Sequence, residues 1–167
     1  MRINNKGFSL VELIVVIAIF ATLAATAIPL MTEWIFREDY RNASQQFLQV
    51  LQQGRSLAIS QNRQHQVEFD LANDDTYSYR ISRGNRSSNS TVFTPVSTWE
   101  DSNIPISVAL RGTVTCNSAA DVTFRFNPNG STTASNYICI FDAQDIAAGR
   151  KYRVGIDNAN TGRVTIE

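Results

Sequence analysis

The feature that most constrains the chain is an apolar run near its start, Phe8 to Leu30, in which Glu12 is the only charged residue. About 20 apolar residues in a helix cross the ~30 Å hydrocarbon core of a bilayer, so the run reads as a single membrane span. A carboxylate in the first turns of such a helix costs roughly 2.5–3.5 kcal/mol even on lenient insertion scales. Glu12 therefore needs a partner or marks a functional site. Ahead of the run lies a short leader, Met1 to Gly7, which carries Arg2 and Lys6 and ends in a small residue. A secretory signal is cut after its apolar region. A cut at Gly7 would instead leave the apolar helix on the mature chain.

The stretch from Gly7 and Phe8 to Glu12 resembles the N-terminus of the type IV pilin and type II secretion pseudopilin superfamily. The resemblance implies cleavage between Gly7 and Phe8 by a prepilin peptidase and N-methylation of the new Phe8 amine. It also implies that the Glu12 carboxylate pairs with the Phe8 amine of a neighbouring subunit during assembly. The physics agrees, since two opposite charges in lipid relieve each other's desolvation only when brought together. A plain signal anchor would need no acid at this spacing. Pro29 lacks an N–H and clashes with the preceding turn, so a kink or local unwinding is expected around Ala25 to Pro29. In the family a proline at this distance from the cleavage point accompanies a bend or melted stretch within the filament.

Beyond the span the helical period continues. Phe36, Tyr40, Ala43, Phe47, Val50 or Leu51, Gly54 and Leu57 or Ala58 recur at spacings of three and four, with charged and amide residues between them. This predicts an amphipathic helix over residues 31–62, ending near Gln61, whose apolar stripe packs on a sheet. Gly54 within it permits close approach of another element.

From Gln66 the period changes to two. Residues 66–71 and 77–81 read as a hairpin, 83–91 as a mobile polar loop, and 122–126 as a strand closed by the turn Asn127-Pro128-Asn129-Gly130. Residues 92–99 and 104–110 are weaker strands, confined to edges or strand starts by Pro95 and Pro105. Strands over 137–141, 152–156 and 163–166 follow, the last two joined by a connection ending in Gly162. A long helix followed only by strands predicts an α+β fold in which an antiparallel sheet wraps on the helix. The division is a leader at 1–7, a transmembrane helix segment at 8–30, the soluble half of the helix at 31–62 and a β-rich globular domain at 63–167. The segments Phe126 to Gly130, Ile138 to Phe141, Tyr152 to Ile156 and Thr161 to Val164 are similar to those of H-type pseudopilins and FimT- and FimU-type minor pilins.

The leader's basic residues favour a cytoplasmic N-terminus, which puts the globular domain in the periplasm, where disulfides persist. There Cys116 and Cys139 either form a bridge or stay as independent buried thiols, and the compartment favours the bridge. With no CxxC and no histidine near them, a metal or redox site is not indicated.

The chain has 167 residues, 15 basic and 15 acidic. Removing Arg2 and Lys6 with the leader leaves 13 against 15, or −2, so no bulk attraction to nucleic acid is visible. There is no GxSxG, phosphate loop or HExxH, and the single histidine, His65, reads as a surface or packing residue at the helix-to-sheet junction. The expectation is a non-enzyme without metal or cofactor. It is a minor pilin or pseudopilin that helps initiate or cap a type IV pilus or a type II secretion pseudopilus. Its partners would be other minor pilins or pseudopilins, the major pilin, the prepilin peptidase and the bacterial inner membrane.

The alternative is a DNA-binding minor pilin for natural transformation. In FimT-type proteins a C-terminal Gly-Arg-x-Arg stretch is implicated in DNA contact, and here Gly162 and Arg163 match while Thr165 replaces the second arginine. Arg150, Lys151 and Arg153 could supplement Arg163 if their strand lies beside the last one. Affinity grows with the number of phosphates neutralised, so one arginine would contribute little.

Overall fold

A computed structural model describes residues 9–71, 77–105, 107–112, 115–116 and 121–167, less the side chains of 27–30 and 32–33. The chain divides into two compact units, residues 1–37 and 38–167. One helix, α1 (Leu10–Ser60), contributes to both.

In the first unit the described side chains are exposed, among them Leu10, Ile14, Phe20 and Trp34. Among the described residues no helix is long and apolar enough to cross a membrane. The described side chains of the apolar run stop at Thr26, so the span predicted for 8–30 falls partly outside the described residues. Helix assignment continues without a break through Ala25 to Pro29, so of the expected kink or local unwinding there is no unwinding. A single proline removes one N–H from the ladder.

In the second unit α1 buries Tyr40, Ala43, Ser44, Phe47, Val50, Leu51, Gly54 and Ala58, a stripe at spacings of three and four. Phe36, placed on that stripe by its period, belongs to the first unit and is 41 % exposed. Two antiparallel sheets share the core with this stripe, where one sheet was expected. The first contains β1 (His65–Asp70), β2 (Ser78–Gly84), β3 (Phe93–Pro95) and β6 (Val122–Phe126) in the order β3-β2-β1-β6, with β4 (Glu100–Asp101) also pairing β2. The second contains β5 (Val108–Gly112), β7 (Tyr137–Asp142), β8 (Tyr152–Ile156) and β9 (Val164–Ile166) in the order β5-β7-β8-β9. β6 returns to pair with β1 at the edge of the first sheet, while β7 takes β5 and β8 as its neighbours, so the later strands gather as a separate sheet.

Alternation places Val67, Phe69, Ile81, Val122 and Phe124 of the first sheet in one cluster with Leu110, Ile138, Ile140, Val154 and Ile156 of the second. Phe69 is its hub, edge-on to Phe47 at 5.4 Å and to Phe124 at 5.8 Å. A Cβ at Gly54 would collide with Val67, so glycine there lets α1 approach β1, as the sequence reading required.

Of residues 83–91, expected to be a mobile loop, Arg83 and Gly84 belong to β2 and the rest are tied down through Gln64, which is 2 % exposed. Its Nε2 donates to Asn127 Oδ1 at 2.9 Å and its Oε1 accepts from the Ser90 N–H at 3.0 Å. Its own N–H donates to the Arg86 carbonyl at 3.0 Å, while its carbonyl accepts from Gly84 at 2.7 Å. The sequence shows only a polar stretch, and the buried amide that organises it lies some twenty residues upstream.

Candidate functional site

Three groups of residues carry the sequence-based expectations. The first is the processing and assembly group. Gly7 and Phe8 lie outside the described residues. Glu12 sits in the first turn of α1, exposed and with no ion pair among the described residues. A carboxylate in that place is favoured by the positive end of the helix dipole and still presents its charge outward. Pro29 lies within α1.

The second group is the cysteines. Cys116 and Cys139 form a disulfide with Cα atoms 5.7 Å apart. Cys139 is in β7, and with Tyr137 and Phe141 it forms a small apolar cluster against Cys116, Ala109 and Ile146. This cluster is separate from the main core. A bridge spanning 23 residues stabilises by roughly 3–4 kcal/mol in the chain-entropy model.

The third is the basic group at the C-terminus, and the structure does not assemble it. Gly155 of β8 faces Thr165 of β9, and Arg153 exchanges both backbone hydrogen bonds with Glu167. The Arg153 guanidinium pairs with the Glu167 carboxylate, lies 3.8 Å from Asp157 and stacks 4.1 Å over the Tyr137 ring. Its charge is thus committed within the domain. Arg163 is exposed but flanked by Asp157, which accepts from Tyr137 Oη and Thr165 Oγ1, both at 2.8 Å. Those two hydrogen bonds, with the nearby Arg153 and Arg163 charges, hold the Asp157 carboxyl below its usual range. Burial, then the bond to Asp157, pushes the Tyr137 hydroxyl up. Arg150 and Lys151 are exposed at the opposite end of β8 from Asp157, roughly 20 Å away at ~3.3 Å per residue.

The two glycine turns meet elsewhere. Arg55 of α1 donates from Nε to the Gly130 carbonyl and from Nη2 to the Thr161 carbonyl, each at 3.1 Å. Gly130 and Gly162 both have positive φ, and a Cβ on Gly162 would strike the Gly130 carbonyl oxygen. The turn after β6 and the turn between β8 and β9 are therefore one clasp, closed by the helix. Sequence reasoning missed Arg55. Its only signal is a cation beside Gly54 at the margin of the apolar stripe. Among the described residues no group of side chains could hold a metal ion.

A family profile described as the prokaryotic N-terminal methylation motif matches residues 2–28, and one described as type II transport protein GspH matches residues 43–160. No curated protein matches the chain. The type IV minor pilin FimU of Pseudomonas aeruginosa (strain PAO1) superposes with a TM-score of 0.54 at 18 % identity, covering 78 % of this chain and 90 % of that one. The minor pseudopilin EpsH from the type 2 secretion system of Vibrio cholerae gives 0.53 at 12 % identity, over 77 % of this chain and 96 % of that one. At these identities the likeness is one of fold, which is that of a minor pilin or pseudopilin. Because the second profile covers well over half of the sequence, from the middle of α1 to the turn beyond β8, the protein belongs to the type II transport protein GspH family.

Proposed function

We propose that the protein is a membrane-anchored assembly subunit that helps initiate or cap a type IV pilus or type II secretion pseudopilus. The observation that carries this reading is the order of the two family matches: a methylation motif over 2–28 ahead of a GspH domain over 43–160. On this reading a prepilin peptidase cuts between Gly7 and Phe8, and the Phe8 amine is methylated. The helix from Phe8 to Leu30 holds the subunit in the inner membrane with its globular domain in the periplasm. The exposed Glu12, without an ion pair of its own among the described residues, then pairs with the amine of a neighbouring minor pilin, pseudopilin or major pilin. Such a charge has little other means of recovering its desolvation cost in lipid. DNA contact through Arg163 receives no support from the geometry, since Arg153 is occupied by two carboxylates.

The test is the amount of major pilin in the sheared surface fraction of a strain lacking the protein, against the complemented strain. Loss of surface pili that returns on complementation assigns it to the pilus. Unchanged pili with a secreted enzyme missing from the medium assigns it to the secretion pseudopilus. If neither changes, the assembly reading fails.

A further inference from the structure

The first sheet separates charge along its strands. At one end Asp70 of β1 and Asp101 of β4 flank Ser78 of β2, and Glu100 lies opposite Tyr79. Asp121 reaches the same level through the Leu71 N–H, at 3.4 Å. Glu100, Asp101 and Asp121 are exposed, and the nearest cation on this sheet, Arg80, is already bound to Glu68 at 2.7 Å.

At the other end, one strand length or roughly 17 Å away, stand Arg63, Arg83 and Arg86. Arg83 lies opposite His65 in the register. Arg63 donates to the Asn85 carbonyl at 2.8 Å, and the Arg86 carbonyl accepts from Gln64. All three are exposed, and none has an ion-pair partner among the described residues. Arg63, three residues beyond the end of α1 at Ser60, also complements the negative end of that helix. That role accounts for neither Arg86 nor the acidic edge opposite.

We propose that these two ends are complementary halves of one contact: the basic end of one domain docks on the acidic end of a second copy of this chain. The occupant follows from charge complementarity. A surface with three exposed guanidinium groups, none in an ion pair among the described residues and only Arg63 hydrogen-bonded to a carbonyl, fits a cluster of exposed carboxylates, and this chain displays that cluster at strand-length distance on the same sheet. A head-to-tail contact of this kind is heterologous, so each copy leaves one end open for another. The contact belongs to the globular unit and goes beyond the Glu12 reading, since it uses no residue of the N-terminal segment.

The experiment is sedimentation of the full chain in detergent micelles at low salt (about 25 mM) and high salt (about 0.5 M), where the screening length falls from some 20 Å to a few ångströms. Wild type is expected to associate at low salt and dissociate at high salt. The variant R83E/R86E has two acidic ends and E100K/D101K has two basic ends, so each alone should associate about tenfold more weakly. Mixing the two variants should restore association, which also shows that both are folded. The proposal is overturned if wild type stays monomeric at low salt, or if neither variant changes an association that the apolar helix alone then explains. It is equally overturned if the mixture fails to recover, or if a short DNA duplex binds the basic end while the chain does not self-associate.

Discussion

His65 opens β1 with its ring fully buried, Nδ1 donating to the Arg63 carbonyl at 3.0 Å and Nε2 without a partner among the described residues. Desolvation is the main reason its pKa lies below the ordinary 6.5; the hydrogen bond to the Arg63 carbonyl opposes it in part, and the weaker effect of the nearby Arg83 charge adds to the lowering. The sign follows. Above pH 6.5 the ring is neutral in both folded and unfolded chains and contributes no pH dependence. As pH falls through that value the unfolded chain takes up a proton that the folded chain refuses, so stability drops until the folded ring also titrates. The slope for one proton is at most about 1.4 kcal/mol per pH unit. Replacing His65 with Gln should lower stability at neutral pH but flatten its decline between about pH 6.5 and 5. Parallel denaturation midpoints for the two proteins across that range would remove His65 as the source. The same scale shows what the sequence leaves open at the basic residues: it displays Arg153 as a cation near Arg163, and only the pairing of β8 with the chain's end brings Glu167 against it beside Asp157.

Among the elements, the clasp of Arg55, Gly130 and Gly162 makes the sharpest claim. Gly162→Ala drives a methyl into the Gly130 carbonyl oxygen, the atom to which Arg55 Nε donates. Overpacking of this kind costs about 1–3 kcal/mol. Arg55→Met removes two charge-assisted hydrogen bonds, worth about 1–3 kcal/mol together with the carbonyls left behind. Because both changes break one contact, the double variant should lose at least about 0.5 kcal/mol less than the sum of the singles. Strict additivity in urea midpoints would show that the two turns are held independently. The elements were legible where the signal is local. Apolar residues at spacings of three and four marked α1 from Tyr40 to Ala58, and the strand readings met β1, β6, β7 and β8 to within a residue at each end, while β2, read as 77–81, runs on to Gly84. Pairing was not legible. That β6 returns to β1, and that β5 joins β7 to found a second sheet, depends on contacts between residues some thirty to sixty apart, which leave no trace in a window of the sequence. Gln64 and Arg55 were missed for the same reason, since each organises loops far along the chain.

At the scale of the whole molecule the assembly reading separates two events that sit five residues apart. On that reading cleavage would need a small residue at Gly7, because a peptidase must bring the backbone on either side of the cut close to its own groups. Docking needs the Glu12 charge after cleavage, when the new Phe8 amine of a neighbour becomes available. Gly7→Ala or a bulkier residue should therefore leave a precursor in the membrane about 0.8 kDa heavier, the mass of a seven-residue leader. Glu12→Ala should be cut normally, since the exposed carboxylate has no ion pair to lose among the described residues. It should even sit more comfortably in the bilayer, by roughly 2.5–3.5 kcal/mol. Its defect should appear only in assembly, as a fall in its recovery from sheared filaments relative to its level in the membrane. Glu12→Gln keeps the shape and removes the charge, so it should behave like Glu12→Ala if pairing with an amine is the role, and like wild type if packing is. Equal filament recovery of wild type and both variants would show that Glu12 serves only the dipole of α1, and the charge-pair account of assembly would fail with it.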